Sequence, residues 1–129
     1  GDLIMSCSGT IGKVAIIPDN YQKGIINQAL LKVTPLSILN SYFLKYLMES
    51  NIFLEKLLVY TEGVAIKNVA SVSVLKGILI YLPDISTQKQ IVSHLDKLSS
   101  KVRAIEEKYQ KMVEECDALK QAMLRDVFE

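Results

Sequence analysis

Apolar and polar positions follow two rhythms along this chain, and the change of rhythm divides it. In the first part the apolar residues come in short runs. Leu3-Ile4-Met5, Val14-Ala15-Ile16-Ile17 and Leu30-Leu31-Lys32-Val33 each read as a strand. They are bounded by the polar break at residues 6–10, by Pro18-Asp19-Asn20 and by Pro35. Residues 24–28 read as a loop or edge segment. Leu39, Tyr42, Phe43, Tyr46 and Leu47 then recur at helical spacing, and residues 52–58 form a second helical stretch. Thr61-Glu62-Gly63 breaks it. Residues 64–67 read as extended, residues 71–75 as one helical turn, and residues 78–82 as a strong strand stopped by Pro83.

Beyond Pro83 the rhythm becomes a strict 4-3 repeat. Ile91, Leu95, Leu98, Val102, Ile105, Tyr109, Met112, Cys116, Leu119 and Met123 form one seam. With Ile91 as a d position, the outer f positions are Ser93, Ser100, Glu107, Glu114 and Gln121, all polar. A period of 3.5 held this long predicts a helix packed along its length against one partner helix, rather than an amphipathic helix lying on its own domain. From about residue 87 to 128 it would run roughly 60 Å, against about 30 Å for a compact domain of this size. Much of it is therefore expected to project. Thr87 and Gln90 have the spacing of a capping box and mark its expected start. The fold class is α+β: a small mixed α/β domain over residues 1–83, then one long C-terminal coiled-coil helix over residues 84–129.

The seam allows two pairings. An antiparallel self-pair centred near Glu107 matches every seam residue: Tyr109 with Ile105, Val102 with Met112, Leu98 with Cys116, Leu95 with Leu119, Ile91 with Met123. A parallel pair brings Lys101 to Glu106 and Glu115 to Lys120. The antiparallel pair brings Lys101 to Glu115 but Lys108 near Lys108. Each exposed ion pair contributes only ~0.2–1 kcal/mol, so charge does not decide and leans, if anything, to parallel.

Composition narrows the function classes. At 129 residues the chain is one domain by length, with core enough for a modest globule. Half the residues are hydrophobic and mean hydropathy is +0.24, high for a chain ending in a charged helix. That suggests surface meant for a partner. Net charge is +1, so no global field announces nucleic acid; residues 1–83 carry a weak positive excess. Cys7 and Cys116 read as reduced thiols in a cytoplasmic protein. His94 is the only histidine and reads as a solvated helix residue, so neither a metal cluster nor a Ser/His/Asp set can be assembled. No apolar run reaches membrane-spanning length, and no signal peptide is seen. The chain opens at Gly1 in what reads as the approach to a strand, so residues are expected upstream.

Gly9-Thr10-Ile11-Gly12-Lys13 has some likeness to a phosphate loop, but its length is wrong and Val14 stands where Ser or Thr would bind magnesium. Glu106-Glu107 and Glu114-Glu115 are neighbours on a solvated helix, not an acid/base pair. No cofactor, metal site or catalytic apparatus is expected. The polar loops are more suggestive. Ser6, Ser8, Thr10 and Lys13 surround one glycine-rich turn, Asn27 and Gln28 follow Gly24, and Thr61, Lys67 and Asn68 lie near Gly63. Such short donor-rich side chains touch phosphates and base edges. From composition alone the plainer reading, ordinary turn residues, is preferred.

The order of these segments resembles a known family. Gly1-Asp2-Leu3-Ile4 followed by Ser8-Gly9-Thr10-Ile11-Gly12-Lys13-Val14-Ala15-Ile16 resembles the G-D-[IL]-L…S-G-T-I-G-K segment of type I restriction–modification specificity subunits. Ile26-Asn27-Gln28-Ala29-Leu30 resembles the family's I-N-Q stretch. Leu82, Pro83, Gln88, Ile91, Val92, Leu95 and Asp96 match its I-x-L-P…Q-x-x-I-V-x-x-L-D junction, and Leu119, Lys120, Leu124 and Phe128 resemble the end of its conserved helix. The junction departs from the common P-P-L-x-E-Q, lacking the second proline and the glutamate.

The resemblance implies a noncatalytic DNA sequence-recognition subunit. Residues 1–83 would be roughly the second half of a target-recognition domain, and residues 84–129 a spacer helix. Each recognition domain would read half of a bipartite target in double-stranded DNA through the major groove. Methyltransferase subunits, and through them the restriction subunit, would dock on it and supply the chemistry, flipping the adenine for methylation. The DNA-contacting positions would be Ser6, Ser8, Thr10, Lys13, Asn27, Gln28, Thr61, Lys67 and Asn68. A self-paired half-subunit would read a palindromic split site. The alternative is a coiled-coil protein–protein interaction module with no DNA role, told apart by the salt dependence of DNA binding.

Overall fold

The computed structural model describes residues 1–59 and 72–128. Three strands, β1 (Leu3–Ser6), β2 (Val14–Ile16) and β3 (Leu30–Val33), form one antiparallel sheet in the order β2-β1-β3. Register pairs Ile4 with Ala15 on one side and with Lys32 on the other. Along β1 the pleat sends Leu3 and Met5 fully inward, while Ile4 and Ser6 stay partly exposed. One face of the sheet is thus a core face.

Two helices supply the other half of that core. Helix α1 (Ser41–Glu49) buries Phe43, Leu44 and Met48, at the spacing that puts residues on one face. Asn40 caps it, its Oδ1 accepting from the Phe43 N–H at 3.0 Å. Ser50 ends α1 and opens α2 (Asn51–Val59): its hydroxyl donates to the Leu47 carbonyl at 2.7 Å and accepts from the Phe53 N–H at 3.3 Å. Phe53 and Leu57 then reach the same cluster as Leu3, Met5 and Val14. A short helix, α3 (Val72–Gly77), follows, with Leu75 and Ile78 against the cluster edge. The expected α+β class is what the chain adopts.

Two local expectations change. Residues 78–82 form no strand: they are irregular, with Leu79 and Tyr81 almost fully exposed. Strand propensity is realised only against a hydrogen-bonding neighbour, and among the described residues none pairs with this run. The capping box also moves. Helix α4 (Ile85–Phe128) starts before Thr87, because Asp84 is the cap. Its carboxylate accepts from the Thr87 N–H at 3.0 Å and from the Thr87 hydroxyl at 2.7 Å. Those bonds, the backbone one first, hold the Asp84 carboxyl below its usual range. The extended segment expected at residues 64–67 lies outside the described residues.

At 44 residues α4 is roughly 65 Å long. The chain divides into two compact units, Gly1–Val92 and Ser93–Glu129, so the first turns of α4 belong to the first unit. Of its seam, Leu95 is half-buried and the other nine residues are exposed in the single chain.

Candidate nucleic-acid interface

The sheet register decides where the polar loops lie. β1 ends at Ser6, β2 begins at Val14 and β3 begins at Leu30, so all three termini share one end of the sheet. The loop at residues 7–13 and the turn at residues 27–29 are therefore neighbours, tied where the Cys7 N–H donates to the Ala29 carbonyl at 2.7 Å. Of the residues singled out from the sequence, the structure brings together Ser6, Ser8, Thr10, Lys13, Asn27 and Gln28. Thr61, Lys67 and Asn68 lie outside the described residues.

These side chains do different jobs. The Ser6 hydroxyl donates to the Thr10 carbonyl and accepts from the Lys13 N–H at 3.0 Å. Its backbone accepts from Gly12 N–H at 3.0 Å and donates to the Lys13 carbonyl at 2.9 Å. Ser6 is thus the internal frame of the loop. Asn27 does the same for its turn, with Oδ1 accepting from the Ala29 N–H at 3.0 Å. Held between these frames, Thr10, Lys13 and Gln28 are exposed and Ser8 is partly so.

The two glycines of the loop are there for backbone reasons. Gly9 and Gly12 have φ of 69° and 81°, where a side chain is strained. At Gly12 a Cβ would also come within 2.3 Å of Leu54 Cδ2, so α2 packs directly onto this turn.

Charge is distributed unevenly along the sheet. Away from the loop end, Lys32 pairs with Asp2 at 2.6 Å. That bond holds the Asp2 carboxyl below its usual range, with help from the Thr34 hydroxyl, and holds the Lys32 ammonium above its own. At the loop end Lys13 is exposed, and Lys23 is exposed on the segment leading to Asn27. Lys23 is not among the residues singled out from the sequence, although it stands directly before Gly24. The Cys7 thiol beneath the loop is raised by burial, which suits packing rather than nucleophilic chemistry.

Among the described residues no group of three or more His, Cys, Asp or Glu side chains is placed to hold a metal ion. No described helix is long and apolar enough to cross a membrane. The arrangement offers hydroxyl, amide and ammonium groups on a rigid sheet end, suited to hydrogen bonding with a polyanion that has polar edges.

Comparison with curated proteins and with solved structures found no match. A family model described as the type I restriction modification DNA specificity domain matches residues 1–115. That span holds the sheet, the loop cluster, the packed helices and most of α4. The chain belongs to the type I restriction modification DNA specificity domain family.

Proposed function

We propose that this chain is a DNA-reading head and spacer that addresses methylation without performing it. The family is generally noncatalytic and serves a DNA specificity role. The head, residues 1–83, reads one half of a bipartite target. Ser8, Thr10, Lys13 and Gln28 touch phosphates and base edges, while Ser6 and Asn27 hold their loops in shape. Thr61, Lys67 and Asn68 complete the set. The observation that carries this reading is the convergence of residues 6–13 and 27–28 on one end of the sheet.

The rod, residues 84–129, pairs through Ile91, Leu95, Leu98, Val102, Ile105, Tyr109, Met112, Cys116, Leu119 and Met123 with a second spacer helix. Antiparallel pairing is preferred because it matches the whole seam and sets two heads at opposite ends. Methyltransferase subunits dock on this frame, and the restriction subunit joins through them. Such an assembly works in the cytoplasm.

The test is selection from a pool of random-sequence duplex DNA by the full chain with its methyltransferase subunit. Enrichment of a split motif, weakened steeply by salt as counterion release requires, supports the proposal. Recovery of unenriched sequence, with the rods still paired in solution, overturns it and leaves a coiled-coil interaction module.

A further inference from the structure

Helix α4 has 44 residues and one buried side chain, Gln88. That side chain is fully inaccessible, and it is the only buried polar residue among those described. It lies in the first unit, two turns or less from the helix start. Both amide hydrogens and the amide oxygen have partners. Oε1 accepts from the Asn40 N–H at 2.8 Å. Nε2 donates to the Ile38 carbonyl at 3.0 Å and to the Pro83 carbonyl at 2.8 Å. Two of these groups belong to the loop that caps α1, and the third to the residue just before the Asp84 cap of α4.

Burying an amide is unfavourable unless its bonds are made, and an apolar side chain would fill the space without that risk. What the amide adds is direction. Two of the three bonds tie α4 to the 38–40 loop that caps α1, and they resist rolling of α4 about its axis and sliding past that loop; the third, to Pro83, braces the start of the helix itself. Apolar contact does little of this here: Ile85 and Ile91 are each about two-fifths exposed, at 41% and 38%. The run leading into the helix is exposed at Leu79 and Tyr81. Without Gln88 the start of the rod would be held mainly by its covalent link and a few half-buried contacts.

We infer that Gln88 is the positioning residue that makes the head–rod junction stiff, and so confines a paired target to a single spacing between its half-sites. The inference rests on the proposed DNA-reading role, but Gln88 touches no DNA and acts only through α1 and the start of α4.

The test repeats the random-duplex selection with Gln88→Ala, Gln88→Glu and Gln88→Leu. Glu keeps the shape and the acceptor but cannot donate to the two carbonyls; Leu keeps the volume without bonds. The wild type should enrich one spacing. The variants should enrich the same half-site bases, with sites a single base pair off spacing gaining roughly tenfold, the scale of one to two net hydrogen bonds. A core variant brought to matched stability, Leu57→Val, should keep the single spacing. Folded Gln88 variants that retain it overturn the inference. So does loss of half-site reading together with spacing, or failure of all three variants to fold, since either makes Gln88 a stability residue only. A wild type that enriches no motif removes the DNA-reading role first, a failure read before any variant is tested.

Discussion

Gly12 and Gly9 share a left-handed backbone but not a neighbourhood, and that difference is measurable. Alanine at Gly9 meets open space and carries only conformational strain, about 1 kcal/mol. Alanine at Gly12 carries the same strain and also displaces Leu54, whose methyl would lie 2.3 Å away. Urea unfolding should therefore show Gly12→Ala the less stable, by roughly 1–3 kcal/mol beyond Gly9→Ala. The role proposed for Lys13 belongs to the same scale but concerns binding. Its ammonium is exposed at the loop end, and its removal should weaken binding to all sequences alike. Lys13→Ala should flatten the dependence of log affinity on log salt by about one unit per head. An unchanged slope would remove Lys13 from the phosphate contacts.

For the elements, the start of α4 depends on the charge of Asp84. Its carboxyl is held below the usual range by the Thr87 N–H and hydroxyl, so the folded pKa is lower than the unfolded one. The cap's contribution is then complete above the unfolded value and is lost as pH falls through the folded one. Amide exchange in the first turn of α4 should accelerate below the ordinary aspartate range. Asp84→Asn, which caps without a charge, should remove that acid transition. The strand expected at residues 78–82 belongs to this scale too. Its residues have the right propensity, yet it is irregular because a strand is a property of two segments, not one.

In the whole molecule, the proposed pairing sets the exposed seam against a second helix. Val102→Asp places a charge in the middle of it, and light scattering should report dissociation of a species that the wild type forms at tens of micromolar. Orientation can be read with thiols, because Cys116 is a seam residue and exposed. An antiparallel pair sets Cys116 opposite Leu98 of the second copy, so Leu98→Cys should cross-link rapidly on oxidation. A parallel pair would instead oxidise the wild type through Cys116 alone. That outcome would overturn the antiparallel arrangement and the two-fold split site that depends on it.

The elements were legible in the residues: three short strands, two packed helices and the long rod all follow from local periodicity, since a run of side chains records which face must be buried. The polar loops could be named but not assembled. Ser8–Lys13 and Asn27–Gln28 meet only because β1 pairs with β2 on one side and β3 on the other, and strand pairing joins residues that the local pattern does not relate. Gln88 shows the same limit from the other direction. It stands at an a position, one heptad before Leu95, where a polar residue is a visible exception. The exception marks the residue, but two of its three partners, at 38 and 40, come from chain folding back on itself. Local pattern decides what a segment becomes; burial and hydrogen bonding between distant segments decide which of its polar groups face solvent and which hold the fold in place.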